Sequence, residues 1–266
     1  MVKFLKKHWM DILVLAAVAV LLVMGASTIY HRFNFAKKWG FFEQYFITDS
    51  GYKDLLKGMK NTGIIALLGM LIGLVIGTLI AVIRVIPPYQ KLVRYAQKVC
   101  AVYVAFFRGT PIVVQLLVGY YILMPLLGVK LSPVMSCVTI FGLNSGAYIS
   151  EIMRGGINSV DVGQLEAARA VGLPFSVSML KIVVPQAVKN ILPTLGNEFI
   201  ALIKETAVVG YVGAVDITQY FQDQGSNTYE YMIPYLVMAA LYIVIVAAIA
   251  SLVKLMERRL AKNERH

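Results

Sequence analysis

Asn144, Tyr148 and Glu151 stand at i, i+4 and i+7 in an apolar stretch, a spacing that projects all three from one face of a helix. A carboxylate in such surroundings is costly unless it is paired or faces a polar pathway. Two readings of Glu151 therefore stay open. It is either a ligand on a solute path, with amide and phenol groups beside it, or an interface residue bonded to a neighbouring helix. A later apolar stretch carries Asn197, Glu198, Lys204 and Glu205, where Glu198 and Glu205 share a face and Lys204 lies off it. Gln115 joins Asn144, Tyr148, Glu151 and Glu198 as a candidate for the path. Together they imply a polar interior, which a transporter requires and an inert anchor does not.

Other chemistries find no support in the spacing. Cys100 and Cys137 lie in apolar stretches without metal-ligand or redox spacing, and His8, His31 and His266 are scattered. No GxxxxGK[ST] phosphate loop, HExxH metal motif or GxSxG nucleophile elbow occurs. The chain is therefore not expected to bind ATP or a metal, or to be an enzyme.

The elements that must position these residues are membrane spans. Of the 266 residues, 59% are hydrophobic and 15% charged, against about 25% charged in an ordinary soluble domain. Mean hydropathy is +0.72. The apolar residues fall in six blocks, 12–29, 62–83, 99–126, 131–152, 187–210 and 232–253, each near the roughly 20 residues that cross a bilayer as a helix. The expected fold is all-α, a polytopic transmembrane bundle of about six spans. Gly69, Gly73 and Gly77 recur every four residues and lay a flat stripe along the second span, where another backbone can approach. The third block is interrupted by FRGTP, 107–111, which either lines a protein-walled cavity or ends a shorter helix whose Arg108 snorkels to the interface.

The formal charge of +11 reads as topology rather than as a nucleic-acid surface, because the basic residues cluster at span ends. Lys3, Lys6 and Lys7, then Arg84, Lys91, Arg94 and Lys98, then Lys254, Arg258, Arg259, Lys262 and Arg265 all fall on one side if both termini are cytoplasmic. The loop 30–61 conflicts with that rule: it would lie outside while holding Arg32, Lys37, Lys38, Lys53, Lys57 and Lys60. The first block also resembles a signal peptide, with a basic start and small Gly25, Ala26 and Ser27 after the apolar stretch. Its cleavage would leave the C-terminal orientation unchanged.

Between the fourth and fifth blocks, 159–193 is too polar at its start to be a span. Asp161 with Gln164 three residues on resembles a capping box, Gly172 supplies a C-terminal stop, and Pro174 suits the first turn of a second helix. Two short helices joined at a glycine are expected, with small Ala167, Ala168 and Ala170 on the first allowing close docking of a partner.

Glu166, Ala167, Ala168, Gly172, Ile182 and Pro185 reproduce the spacing of the EAA motif, and the segment resembles that of ATP-binding-cassette importer permeases, with Val184 where leucine is usual. FRGTP at Phe107, GAYISEIMRGGI at Gly146, GQLEAARAVGL at Gly163 and GNEFIALIKETAVVG at Gly196 are similar to the polar amino-acid branch of that family. The resemblance implies a five-span importer core at 53–255, preceded by an N-terminal span and charged loop at 1–52 and followed by a basic tail at 256–266. It implies that Gly163, Glu166, Ala167, Ala168 and Gly172 form a cytoplasmic coupling helix. The implied partners are a cytoplasmic ATPase dimer holding ATP and Mg, a second permease (identical or a paralogue), and an extracytoplasmic solute-binding protein. A polar amino acid is the implied substrate, with no nucleic acid, in a bacterial cytoplasmic membrane. The competing class is an ion-coupled secondary transporter or channel, which intramembrane acids allow but which leaves the EAA segment unexplained.

The orientation is testable. Cysteines placed at the C-terminus and near Lys3 should both resist membrane-impermeant thiol reagents applied from outside. Labelling at the C-terminus would overturn it.

Overall fold

The computed structural model describes residues 34–48 and 50–262, together with residues 18, 20, 24 and 25. Apart from those four residues the expected first span, 12–29, lies outside the described residues, as does its retention or cleavage. Among the described residues there are no strands, and besides a π-helical turn at Gln44–Thr48 there are nine helices. They are α1 (Phe35–Glu43), α2 (Gly51–Val85), α3 (Lys91–Gly109), α4 (Ile112–Leu126), α5 (Pro133–Asn158), α6 (Val162–Ala170), α7 (Phe175–Val212), α8 (Ile217–Thr228) and α9 (Met232–Lys262). α2, α7 and α9 are each long and apolar enough to cross a membrane, and α3 with α4 forms a bent pair that passes the same test jointly. α5 has 26 residues, about 39 Å at the usual helical rise, but its buried side carries Ser136, Asn144, Ser145 and Ser150, which makes it less apolar. α9 remains helical through the first of the C-terminal basic residues, as far as Lys262.

The bundle is organised around the contact of α2 with α5. A Cβ placed on Gly73 would lie 2.8 Å from Ser145 Cβ, and one on Gly77 would lie 2.7 Å from Ile149 Cγ2. The fit is reciprocal: Gly142 faces Ile72 at 2.6 Å and Gly146 faces Ile76 at 2.8 Å by the same measure. Pairing advances as Gly69 with Phe141, Gly73 with Ser145 and Gly77 with Ile149, so the two helices run parallel. The expected glycine stripe is thus half of an interlocking surface whose other half is Gly142 and Gly146. Without water-driven association between helices in lipid, such close backbone approach is what holds a pair together.

α4 and α7 close a core over this pair, with Ile65, Ala66, Leu116, Val138, Phe141, Leu202 and Val209 all buried in one cluster. α9 lies outside, with the most apolar part of its length unburied, and presents Leu236, Ile243, Val244 and Leu252 outward. That surface is untenable in water and ordinary in a bilayer. Asp216 is fully buried, where its carboxylate accepts from the Thr218 and Gln219 backbone N–H groups at 3.1 and 2.8 Å and so caps α8.

Overpacking of the α2–α5 seam should be selective. Gly77→Val drives side-chain atoms into Ile149 and the Gly146 carbonyl, a cost of about 1–3 kcal/mol. Gly63→Ala meets nothing within 4 Å. Thermal melting of the purified protein should fall for the first and hold or rise for the second.

Candidate functional site

The FRGTP interruption turns the chain through 106° between α3 and α4. The block 99–126, interrupted at FRGTP, is thus two helices meeting at a corner. Thr110 precedes a proline and takes extended backbone, φ −123° and ψ 143°, so the helix cannot continue through it. Carbonyls at the end of α3 lose their helical partners, and Gln115 supplies replacements: its Nε2 reaches Phe107 O at 2.8 Å and Thr110 O at 2.9 Å. Asn144 Nδ2 donates to Gln115 Oε1 at 2.9 Å and locks this brace onto α5. Both amides are buried and occupied with one another and with the corner.

Asn144 therefore does not share a polar opening with Tyr148 and Glu151, as the i, i+4, i+7 spacing led one to expect. The corner draws it away: its Nδ2 donates to the Gln115 amide oxygen and reaches Phe107 O at 3.4 Å, in an interior where a polar group needs a partner. Gln115 goes with it.

Tyr148 and Glu151 do open onto a common cavity. It has a volume of about 410 Å³ and is lined by Arg108 of α3, Tyr148, Glu151 and Ile152 of α5, and Thr194, Asn197 and Glu198 of α7. Glu151 sits in a basic cluster. One carboxylate oxygen bonds Arg84 from α2, and the other accepts from Arg154 Nη2 at 2.7 Å and Nε at 3.1 Å. Arg108 lies farther off, 3.8 Å from the same oxygen, with its guanidinium 5.5 Å from the centre of the Tyr148 ring and its side chain 46% exposed. Glu198 accepts from Ser145 Oγ at 3.3 Å and has no cation within ion-pair distance among the described residues. Glu205 and Lys204 lie outside this cavity.

Arg84 was read from sequence only as a marker of the cytoplasmic side; its role as counter-ion to Glu151 was missed. The signal was present in the cost of the glutamate, which requires a cation, but one sequence cannot say which arginine supplies it.

At the end of the bundle where α2 and α5 terminate, α6 and the start of α7 form an elbow at the expected glycine, but the second helix is not short: it runs on unbroken from Phe175 to Val212. Asp161 caps α6 through the Gly163 N–H at 2.7 Å, a simple cap in place of the reciprocal box with Gln164. Gly172 has φ +87°, and Leu173 N–H to Ala168 O at 3.1 Å with Gly172 N–H to Arg169 O at 3.0 Å closes the helix in a Schellman motif. Glu166, Ala167, Ala170 and Val171 face outward, Val171 being 78% exposed. Ala168 points the other way and is buried beside Leu165, which rests on Val160, Met179 and Val183. Its small size serves the seat of α6 on the bundle.

These features are those of an all-helical membrane bundle with a polar side cavity and an exposed helical elbow at one end. Residues 73–262 match the family described as binding-protein-dependent transport system inner membrane component, and the chain belongs to that family. It is 37% identical over 215 residues to the putative glutamine transport system permease protein GlnP of Rickettsia typhi, covering 79% of this chain and 94% of that protein. It is equally 37% identical over 210 residues to the arginine transport system permease protein ArtQ of Bacillus subtilis, with the same coverage. The crystal structure of an amino acid ABC transporter with histidines superposes with a TM-score of 0.73 at 35% identity, covering 81% of this chain and 98% of that one. Family membership sets aside the ion-coupled reading and makes the chain a non-enzymatic component of an ABC importer.

The basic cluster carries a prediction. Glu151→Gln removes the partner of Arg84 and Arg154 at once and should lower thermal stability by about 1–3 kcal/mol, water access to the cluster reducing the cost of a fully buried orphan. Adding Arg84→Gln should recover part of that loss, as read by melting of the purified protein.

Proposed function

We propose that this chain translocates polar amino acids across a bacterial cytoplasmic membrane by alternating access, and that the cavity between α3, α5 and α7 is where the solute passes. The observation that carries the reading is the division of charge around that cavity. Glu151 is already neutralised by Arg84 and Arg154, which leaves Arg108 and Glu198 as the cation and the anion with bonding capacity to spare. An amino acid brings a carboxylate and an ammonium, each costly unless matched where water is partly excluded. Arg108 suits the carboxylate through its planar fork, Glu198 suits the ammonium, and Asn197 and Thr194 offer neutral hydrogen bonds. The names of the relatives, for glutamine and for arginine, fit a site that recognises the shared amino-acid head group.

Glu151 keeps a part in this reading as the residue that orients the basic cluster, with Tyr148 setting the Arg108 guanidinium over its ring. The exposed elbow with Gly163, Glu166, Ala167 and Gly172 is the surface we assign to a cytoplasmic ATPase dimer, which holds the ATP and Mg. A solute-binding protein delivers substrate from the opposite face, and a second permease, identical or a paralogue, completes the path. The permease core occupies 53–255.

The test is ATP hydrolysis and uptake by the reconstituted complex, supplied with solute-loaded binding protein across a panel of amino acids. Arg108→Gln and Glu198→Gln should each lower uptake per assembled complex by about tenfold or more, since a charged hydrogen bond contributes about 1.5–3 kcal/mol, while basal ATP hydrolysis persists. Gly172→Val should behave differently, uncoupling hydrolysis from uptake with membrane insertion intact, because a β-branched residue fits φ +87° poorly. Normal uptake in both cavity variants would remove the cavity from the path.

A further inference from the structure

The outer end of the bundle, opposite the α6 elbow, carries an amphipathic element that precedes the family-matched residues 73–262. α1 buries Phe42 against Ile217, Tyr220, Phe221 and Ile233, and Lys38 Nζ pairs with Glu230 Oε1 at 2.9 Å, which ties α1 to the start of α9. Its other side exposes Phe41, while Trp39, 44% accessible, lies at the margin of the buried side against the rings of Phe35 and Phe42, and Ile47 is exposed in the π-helical turn Gln44–Thr48 that follows. Lys37 lies on the exposed side with its ammonium 5.9 Å from the Phe41 ring.

The first three turns of α2 add Lys53, Lys57 and Lys60 at i, i+4 and i+7, all exposed. Among the described residues, none of Lys37, Lys53, Lys57 and Lys60 is within ion-pair distance of a carboxylate. The direction of this stripe decides its meaning. Gly58, on the opposite side of α2, is pressed against the Asp216 carbonyl, whereas the same face beyond Lys60 passes half-buried Ile64 and continues as exposed Leu67, Leu71, Val75 and Val82. The basic stripe is thus the outward continuation of the apolar face that α2 turns away from the bundle. With 35 residues α2 spans about 50 Å against roughly 30 Å of hydrocarbon, so these first turns reach beyond the hydrocarbon.

We propose that Lys53, Lys57 and Lys60, with Lys37 and Phe41 of α1 at the same end of the bundle, form a binding surface for the phosphate groups of anionic phospholipids in the outer leaflet. Aromatic rings settle at headgroup depth, and lysines beside an apolar face are the composition of a helix lying in the interface. Anionic headgroups attract each lysine held near them. The stripe faces along the membrane, where lipid is; an acidic face of a solute-binding protein would approach from above. Lipid binding also accounts for basic residues on the side that the positive-inside rule leaves poor in them.

The experiment places the intact transporter complex in nanodiscs of equal phosphatidylglycerol and phosphatidylcholine, detergent-extracts it, and counts retained lipids by native mass spectrometry. Wild type should retain phosphatidylglycerol preferentially. The Lys53→Gln/Lys57→Gln/Lys60→Gln variant should lose that preference by at least about threefold at unchanged melting temperature, and about 0.5 M salt should erode it in wild type. If the triple variant misfolds, Lys57→Gln alone should give a smaller loss of the same sign. Equal retention of both lipids by wild type overturns the proposal. So does an unchanged lipid preference in a variant that instead loses stimulation of ATP hydrolysis by the solute-binding protein, since the surface then belongs to that partner.

Discussion

Backbone contact between α2 and α5 is the constraint from which the rest of the molecule follows. In lipid no hydrophobic gain drives two apolar helices together, so the pair depends on atoms meeting at close range. Gly73 and Gly77 admit Ser145 and Ile149, while Gly142 and Gly146 admit Ile72 and Ile76, and each bulky residue fills the space its partner lacks. The alternation every four residues works only if the helices are parallel and in this register. Parallel packing in turn places both C-termini at one end, and this brings Arg84 of α2 within bonding distance of Glu151 on α5. A slip of one turn would separate that pair, so the ion pair and the glycine seam specify the same register by different physics.

The corner after α3 is the second fixed point, and it depends on the first. A chain turned through 106° in an apolar interior exposes carbonyls that water cannot satisfy. Gln115 and Asn144 satisfy them, and Asn144 belongs to the α5 helix that the glycine seam has already positioned. The result is that Arg108, one residue before the helix ends, is delivered to the cavity edge next to Tyr148. An arginine here is tolerable because Glu151 lies 3.8 Å away and because the guanidinium remains nearly half exposed.

Much of this was legible in the sequence, and the reasons differ by element. The FRGTP break, the glycine stripe and the Gly172 stop are written in local periodicity and in residues with restricted or unusual backbone preferences, and all three are present in the structure. What sequence could not give was partnership. Asn144 shares a helical face with Glu151 by spacing, yet its amide turns to the corner, to partners that the chain reaches only by folding. Ala168 has the same small side chain as Ala167 and Ala170, but packing under α6 assigns it to the seat rather than to the exposed surface. Arg84 is 67 positions from Glu151, and nothing local announces the bond.

The elbow and the cavity are joined by the same two helices, which bears on how motion at one reaches the other. α5 carries Tyr148 and Glu151 and ends at Asn158, so about two turns of helix separate the glutamate from the segment leading into α6. α7 begins immediately after the elbow and carries Thr194, Asn197 and Glu198 on the facing wall. Near the elbow the two helices are fastened together: Asn190 Nδ2 donates to Ser159 Oγ at 2.8 Å, and Gly156 leaves no room for a Cβ against Ile191. A push on α6 therefore cannot be absorbed by splaying α5 from α7 at their base, where packing is tight and polar groups are paired. It is passed along both helices to the walls of the cavity, where α3 contributes Arg108 from outside the fastened pair. Relative movement between the α5–α7 unit and α3 changes the distance of Arg108 from Glu198 and from Glu151 together. If the cavity holds a zwitterion, as proposed above, that geometry couples the position of the elbow to the strength with which it is held.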